Sequence, residues 1–301
     1  MGFPAPHAVL RGALRVVPPL RSGRWPAPNS VREVIGSIGT STFVMLRPDR
    51  CEIAKELYWG QGRRPKPEDA LALEVVVQLV SEADVLLDVG AYTGLFTLAA
   101  TAANTGLRVH AFEIVPAVAS ALQENLARND VTDRVHVHLE GIGAPGTSMR
   151  VPRGEGGSAL PSFYSSRLRF DEGERIRFRS LDSVSELVRP DASVVMKIDV
   201  EGTEASVFRY GQGFLSRFRP SILCEVLHGV ANGEELEELL SPHRYKYYLV
   251  RSTDLMPSAR VAPDPRYRDW LFTPLGTEEL RAVGVPVATA VSGQRSHAER
   301  P

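Results

Sequence analysis

The stretch VLLDVGAYTG, residues 85–94, determines the predicted fold of this chain. Four of its first five residues are apolar, which is typical of a short buried strand in a parallel sheet. Gly90 and Gly94 predict a loop, and apolar residues at helical spacing resume with Leu95 and Leu98. A strand, a glycine-containing turn and a helix in this order bring backbone N–H groups at a helix N-terminus against a nucleotide-like ligand.

The spacing of the glycines and the charge of Asp88 indicate which nucleotide-like ligand the loop would accept. A dinucleotide site has the pattern G-x-G-x-x-G, whereas Ala91, Tyr92 and Thr93 separate the two glycines here. The Asp88 carboxylate would repel a pyrophosphate, but it would attract the amino group and the sulfonium centre of S-adenosylmethionine. The alternative is a tight strand-to-helix turn that binds no ligand.

The composition is ordinary for a globular protein with a substantial core, since 43% of the 301 residues are hydrophobic and 24% are charged. A formal net charge of −1 provides no general attraction for nucleic acid or membrane surfaces, so neither is expected as a partner. Cys51 and Cys224 lack the spacing of zinc ligands, and so few cysteines favour a reducing cytoplasm. No apolar run approaches the ~20 residues that span a bilayer, and nothing in the sequence predicts an oligomeric state.

Shifts in composition divide the chain into four predicted regions. Residues 1–30 are rich in Pro and Arg and predict a disordered basic arm, and residues 31–83 predict a cap segment. One α/β domain is predicted over residues 84–285, with an insertion at 142–180 whose Gly, Pro and Ser content indicates β-hairpins rather than a linker. Residues 286–301 predict a disordered tail.

Strand and helix patterns alternate regularly through the predicted domain. Beyond the first strand, predicted strands lie at 108–114, 134–141, 193–200, 220–227, 245–250 and 269–274. Repeated β-α-β units predict a doubly wound, mostly parallel sheet with helices on both faces. Right-handed crossovers place the ligand loops at the carboxyl ends of the strands, so the site is expected at that edge of the sheet.

Two further strand ends carry residues expected to bind a nucleotide. Glu113 ends the second predicted strand, where a carboxylate can accept hydrogen bonds from ribose hydroxyls; a solvent-facing Glu is the alternative. Ile114 follows it directly. The motif EGIG at 140–143 ends the third predicted strand, and Ile142 within it is expected to pack on an adenine ring.

The motif KIDVEGTE, residues 197–204, predicts a polar constellation at the end of the fourth domain strand. Lys197, Asp199 and Glu201 alternate, so all three side chains are expected on one face. Burial of such charges costs several kcal/mol per ion unless the charges pair with one another or meet a ligand. The cluster therefore indicates either mutual neutralisation or an active site.

The motifs DVGAYTG, AFE, KIDVEGTE and SILCEVLHG together resemble the FkbM-type family of S-adenosylmethionine-dependent methyltransferases, over about residues 84–230. The family usually has Asn-Ile where this chain has Tyr92 and Thr93. The resemblance implies the Rossmann-like class I methyltransferase fold with a seven-stranded sheet. It also implies S-adenosylmethionine as cofactor and methylation of a hydroxyl on a small metabolite, such as a sugar or a polyketide.

These observations define the predicted site. The residues expected to bind the cofactor are Asp88, Gly90, Ala91, Tyr92, Gly94, Phe96, Glu113, Ile114, Ile142 and Asp199. The predicted catalytic residues are Lys197, Asp199, Glu201 and His228. Glu225 and His228, after the fifth strand, are expected to meet Asp199 and Glu201 beside the reactive methyl group, with Asp199 or His228 as general base. Carboxylates and a histidine could also hold Mg²⁺, but no metal is favoured.

Two other functions remain possible on the sequence. A nicotinamide-dependent oxidoreductase is disfavoured by the missing middle glycine and by Asp88. A protein that binds the cofactor without catalysis is disfavoured by the charged residues Lys197, Asp199 and Glu201 at the fourth strand. The expected partner is a small-molecule acceptor.

Overall fold

A computed structural model describes residues 25–152 and 172–289 of the chain. Most of the predicted arm (1–24), the middle of the predicted insertion (153–171) and the end of the predicted tail (290–301) lie outside the described residues. Within the described ranges, no helix combines the length and the apolar character needed to cross a membrane.

Two strands and two helices precede the predicted domain. They are β1 (Glu33–Ile38), β2 (Ser41–Leu46), α1 (Glu52–Trp59) and α2 (Pro67–Val80). β1 and β2 form an antiparallel hairpin. α2 begins at Pro67, a position where the backbone N–H would make no hydrogen bond within the helix. The negative charges of Glu68 and Asp69 in its first turn interact favourably with the positive end of the helix dipole.

The remaining elements are eleven strands and seven α-helices within the described residues. The strands are β3 (Val85–Val89), β4 (Arg108–Phe112), β5 (Val135–His138), β6 (Gly141–Ile142), β7 (Ser148–Val151), β8 (Glu174–Arg179), β9 (Val194–Ile198), β10 (Ser221–Glu225), β11 (Lys246–Val250), β12 (Leu255–Ser258) and β13 (Asp269–Thr273). The helices are α3 (Leu95–Ala103), α4 (Pro116–Arg128), α5 (Leu181–Val184), α6 (Glu204–Arg209), α7 (Gln212–Phe218), α8 (Gly233–Leu240) and α9 (Thr277–Ala282). Strands and helices alternate except in the runs β5–β8 and β11–β13 and in the consecutive helices α6 and α7.

The central sheet has eight strands in the order β12-β11-β13-β10-β9-β3-β4-β5. The neighbours from β10 to β5 pair in parallel, whereas β13 is antiparallel to both β10 and β11. The predicted mostly parallel α/β sheet is confirmed, but it has eight strands and not the predicted seven. The added strand, β12, pairs with β11 at the sheet edge and contains Pro257, which an edge strand tolerates and which weakens the strand signal in the sequence.

Helices cover both faces of this sheet, as the prediction of a doubly wound fold requires. One hydrophobic cluster joins Leu86 to α2, α3, α4 and the β1–β2 hairpin. A second cluster joins the neighbouring residue Leu87 to α5, α6, α7 and α8. Consecutive side chains of a strand point to opposite faces, so the adjacent apolar residues Leu86 and Leu87 of β3 contribute to the two different cores.

The β1–β2 hairpin is attached to α4 by two asparagine side chains. Asn129 accepts a hydrogen bond from the Val44 N–H at 2.7 Å and donates one to the Val44 carbonyl at 2.7 Å. Asn125 accepts from the Leu46 N–H at 2.8 Å and donates to the Thr93 carbonyl at 2.9 Å. These bonds satisfy backbone groups at the edge of the hairpin and connect the cap to the glycine loop.

The predicted arm and tail are ordered where they meet the domain. Ala27 is only 2% exposed, so the chain is already packed at this residue, ahead of the predicted boundary at residue 31. The tail is bonded to Leu255 at the start of β12: the Leu255 N–H donates to the Pro286 carbonyl at 2.8 Å, and the Leu255 carbonyl accepts from the Ala288 N–H at 2.9 Å. Burial of apolar side chains in these short stretches outweighs the loss of chain entropy, which composition alone does not reveal.

The described part of the predicted insertion forms a separate small sheet of order β6-β8-β7. β7 and β8 pair as an antiparallel hairpin, so the predicted β-hairpin is confirmed. β6 pairs in parallel with the C-terminal end of β8. The small sheet therefore starts directly at the motif that ends the third predicted strand.

Candidate active site

A cavity of about 670 Å³ lies at the carboxyl ends of β3, β4 and β9. This volume is in the usual range for small-molecule sites. Seven of the predicted site residues line it: Gly90, Tyr92, Glu113, Ile114, Ile142, Asp199 and Glu201. The other six do not: Asp88, Ala91, Gly94, Phe96, Lys197 and His228. The predicted edge of the sheet is therefore where the cavity lies, but the predicted residue set divides into two groups.

The glycine loop passes so close to the end of β9 that only glycine fits at its first position. Gly90 has a φ of +78°, and a Cβ there would lie 1.9 Å from the backbone oxygen of Asp199. Gly94 has a φ of +92°, and a Cβ there would lie 2.4 Å from Cδ1 of Leu122 on α4. Gly94 thus permits helix packing and does not line the cavity, contrary to its predicted role in cofactor binding. Ala91 is likewise buried in the core.

Glu113 ties the glycine loop to the start of α4. Its Oε2 accepts a hydrogen bond from the Tyr92 N–H at 2.9 Å, and its Oε1 accepts from the N–H groups of Ile114 and Val115 at 2.8 and 2.9 Å. Burial raises the pKa of Glu113 and outweighs these three donors, which lower it. Glu113 lies on the cavity wall, and its predicted contact with ribose hydroxyls stays a prediction.

Tyr92 has a left-handed backbone, with a φ of +49°, although it is not a glycine. This conformation directs its N–H toward Glu113. Burial raises the pKa of the Tyr92 hydroxyl, so the side chain stays uncharged. A bulky residue in this region of the Ramachandran plot is a strained conformation of the kind that collects at functional sites.

Asp88 lies beneath the loop and not on the cavity wall. The residue is fully buried, and its Oδ2 accepts a hydrogen bond from the Thr97 hydroxyl at 2.7 Å. Its Oδ1 lies 4.0 Å from Nζ of Lys197. Burial raises the pKa of Asp88, while Lys197 and Thr97 act in the opposite direction. The Asp88 side chain points toward α3 and does not line the cavity, so the structure does not place Asp88 where it would contact a bound cofactor, and its predicted attraction for the cofactor stays a prediction.

Lys197 holds the glycine loop against β9 from inside the protein. Its Nζ donates a hydrogen bond to the Gly90 carbonyl at 2.8 Å, lies 3.4 Å from Oδ2 of Asp199 and stands 5.4 Å from the ring centre of Phe96. Burial alone would lower the pKa of Lys197, but the neighbouring carboxylates outweigh it and raise the pKa. Lys197 and Phe96 thus support the loop and the neighbouring carboxylates without lining the cavity.

Three carboxylates converge where β9 and β10 end. Asp199, Glu201 and Glu225 each offer an oxygen, and these oxygens lie within 4.8 Å of one another. Oε1 of Glu225 lies 2.8 Å from Nη1 of Arg268, while its Oε2 is buried without a hydrogen-bond partner among the described residues. Burial, followed by the charge of Asp199, raises the pKa of Glu225 to about 9. Oxygens at this spacing could also hold a divalent cation.

Glu201 presents its carboxylate from a strained turn. Its φ is +54°, and the following Gly202 has a φ of +97°. Glu201 lines the cavity, and burial and then the charge of Asp199 raise the pKa of its carboxyl group. The turn thus places a carboxylate with a raised pKa on the wall of the cavity.

His228 does not join the carboxylates in the cavity wall. It is exposed, and its Nδ1 lies 3.2 Å from the Pro263 carbonyl. β10 ends at Glu225, and the chain has already left the sheet when it reaches His228. The prediction that His228 lies beside the reacting group is therefore wrong.

Several residues near the site were not found from the sequence. Thr203 lies within the motif KIDVEGTE and Ser206 two residues beyond it, and both line the cavity, so their position in the sequence was an available signal. Arg268 and Asp269 carried no such signal, because they belong to β13 and its approach and reach the site only through strand pairing with β10. Burial and then the charge of Asp199 raise the pKa of Asp269 to about 7.

One family model and several solved structures are similar to this chain. Residues 88–247 match the Methyltransferase FkbM domain. A crystal structure of an FkbM methyltransferase from Methylobacillus flagellatus is 21% identical, with a TM-score of 0.43, over 63% of this chain and 43% of that one. A methyltransferase from Agrobacterium tumefaciens described as SAM-dependent is 12% identical, with a TM-score of 0.45, over 84% of this chain and 73% of that one. An O-methyltransferase from Bacillus cereus, solved with SAH, is 14% identical, with a TM-score of 0.38, over 68% of this chain and 78% of that one.

The search of curated proteins found no match. This chain spans less than half the length of the Methylobacillus protein. The family match covers more than half of this chain and includes β9, β10 and the glycine loop. The chain therefore belongs to the FkbM family of methyltransferases.

Proposed function

We propose that this chain transfers the methyl group of S-adenosylmethionine to a hydroxyl oxygen of a small metabolite. Family membership supports methyl transfer. The choice of cofactor rests on one observation: Gly90, Glu113 and Ile142 line the same cavity. Asp199 and Glu201 line the same cavity, so cofactor and acceptor can share one space.

The residues on this wall suit the parts of S-adenosylmethionine. Gly90 lets the glycine loop pass close to the end of β9, because a Cβ there would lie 1.9 Å from the backbone oxygen of Asp199. Glu113 would hold the ribose hydroxyls, and Ile114 and Ile142 would pack on the adenine. When bound, S-adenosylmethionine supplies a methyl group that is already activated by the positive sulfur. The protein then has mainly to align the reactants, which can lower a barrier by about 7–11 kcal/mol.

Glu201 is the general base in this proposal. It lines the cavity, and burial raises the pKa of its carboxyl group, which makes the carboxylate a stronger proton acceptor. Asp199 also lines the cavity, but it is already engaged with Lys197 at 3.4 Å and serves to position that end of the site. Lys197 and Arg268 supply positive charge beside the carboxylates, so the proposal needs no metal ion.

The cofactor is tested by calorimetry with S-adenosylmethionine, S-adenosylhomocysteine and NADH on the purified protein. We expect both sulfur compounds to bind and NADH to give no heat, because the loop lacks the dinucleotide glycine pattern. Binding of NADH alone would instead support the oxidoreductase. Binding of S-adenosylmethionine without turnover on a broad panel of hydroxylated acceptors would favour the catalytically silent protein.

Glu201→Gln should lower kcat by about 10²- to 10⁴-fold, because the amide keeps the shape of the side chain but accepts no proton. The Kd for S-adenosylhomocysteine should stay within about twofold, since Glu201 acts at the acceptor end. In the native enzyme kcat should rise with pH as Glu201 ionises, and this rise should vanish in the variant. The control is Glu186→Gln, an exposed residue.

The base assignment fails if Glu201→Gln retains kcat within twofold of the native enzyme. The same assay in EDTA tests whether the reaction needs a metal ion, and we expect turnover to be unchanged. A loss of activity in EDTA that Mg²⁺ restores would assign Asp199, Glu201 and Glu225 to a metal site instead.

A further inference from the structure

The β7–β8 hairpin carries a row of arginines on one face. Its register pairs Ser148 with Arg177 and Arg150 with Arg175. Directly opposed residues of an antiparallel pair project to the same side, so these four side chains share one face. All three arginines are exposed. Met149, Val151 and Ile176 alternate with them and belong to a hydrophobic cluster on the other face.

Within the part of the chain that the structure describes, the arginines of this face donate to neutral oxygens and not to carboxylates. Arg150 donates to the Gly173 carbonyl at 3.2 Å, and Arg175 donates to the Ser148 hydroxyl at 2.8 Å. Among residues 25–152 and 172–289, the ion pairs within 4.0 Å include none that involves Arg150, Arg175 or Arg177. Like charges directly opposite one another destabilise a strand pair. An anion bound across Arg150 and Arg175 would remove this repulsion.

A cleft lies against the same face and adjoins the active-site cavity. It has a volume of about 380 Å³ and is lined by Arg175 and Arg177. Ser148 and Phe178 line both this cleft and the cavity, and Arg150 lines the cavity. The arginine face therefore continues from the active-site wall into the cleft.

We propose that this cleft binds an oxyanion carried by the acceptor substrate, so that the acceptor is a hydroxylated compound bearing a phosphate, sulfate or carboxylate group. The guanidinium fork matches the geometry of such oxyanions and donates two parallel hydrogen bonds to them. A net charge of −1 for the whole chain disfavours a nucleic acid, which would need a broader basic surface. The assignment rests on the proposed methyl transfer, because it places the methyl-accepting hydroxyl in the adjoining cavity.

The double variant Arg175→Gln/Arg177→Gln tests the cleft with pyrophosphate as the probe. At low salt, calorimetry should detect pyrophosphate binding to the native protein, and the affinity should fall about tenfold or more in the variant. Affinity for S-adenosylhomocysteine should stay within about twofold, which also shows that the variant is folded. The control is Arg108→Gln, an exposed strand arginine at the opposite end of the sheet, which should leave both affinities unchanged.

Competition between pyrophosphate and the acceptor in the methyl-transfer assay tests whether the cleft binds the acceptor. Pyrophosphate should compete with an anionic acceptor and not with S-adenosylmethionine, and the double variant should raise the acceptor KM with little change in kcat. The proposal is overturned if pyrophosphate binds native and variant protein equally, if it displaces S-adenosylhomocysteine, or if only an RNA oligonucleotide binds through these arginines. Failure of S-adenosylmethionine to bind while pyrophosphate binding depends on Arg175 and Arg177 would reject the proposed function and leave an anion site.

Discussion

Replacing Lys197 with Met is expected to lower the free energy of unfolding by about 3–5 kcal/mol at neutral pH. The variant leaves the carboxylate of Asp88, which is fully buried, without the cation that lies 4.0 Å away. It also removes the hydrogen-bond donor to the half-buried Gly90 carbonyl, which adds to the loss. The measurement is urea unfolding followed by circular dichroism.

The pH dependence of this variant follows from the same carboxylate. Without Lys197, the pKa of Asp88 in the folded protein rises further above its unfolded value, because burial is no longer opposed by that cation. A carboxyl group with a raised folded pKa stabilises the protein at low pH and loses that contribution as pH rises. The deficit relative to the native protein should therefore grow from acidic to neutral pH.

A second substitution distinguishes charge burial from lost packing. Asp88→Asn in the Lys197→Met background should restore much of the lost stability, since the amide needs no counter-ion. Lys246→Met is the matched control, because Lys246 is exposed on β11 and should change stability by less than about 0.5 kcal/mol. If the double variant is no more stable than Lys197→Met, the pairing of Asp88 with Lys197 is not what stabilises this part of the fold.

Gly90→Ala is expected to combine a large loss of stability with loss of cofactor binding. The added Cβ would lie 1.9 Å from the backbone oxygen of Asp199, and neither the glycine loop nor β9 can move without breaking the hydrogen bond from Lys197. We expect the free energy of unfolding to fall by at least about 4 kcal/mol, toward the upper end of single substitutions. Affinity for S-adenosylhomocysteine should fall about 100-fold or more in the protein that remains folded.

Gly229→Ala controls for the backbone angle alone. Gly229 has a φ of +75°, close to the +78° of Gly90, but nothing lies within 4 Å of a Cβ added there. Its cost should be only the left-handed penalty of about 1–2 kcal/mol, and cofactor affinity should be unchanged. Equal losses in the two variants would mean that the contact between the loop and Asp199 does not constrain Gly90.

The strands and glycines of the site were predictable because their signals are local. β3 is an apolar stretch, broken only by Asp88, that ends at a glycine, and this pattern indicates a buried parallel strand with a ligand loop. The motif KIDVEG likewise placed Asp199 and Glu201 at a strand end, where both line the cavity. Parallel pairing brings successive strand ends to one edge, so residues far apart in sequence could be expected together.

The sequence by itself determined the α/β architecture, the edge of the sheet that holds the site and the carboxylates that line it. Only the tertiary structure decided which charges face the cavity. Asp88 and Lys197 turn inward, where Lys197 holds the glycine loop; His228 lies on the surface, and Arg268 joins the carboxylates from the residue directly before antiparallel β13. The reason is physical: strand order and the packing of α3 set the direction of each side chain, and neither is encoded in the spacing of residues along one motif.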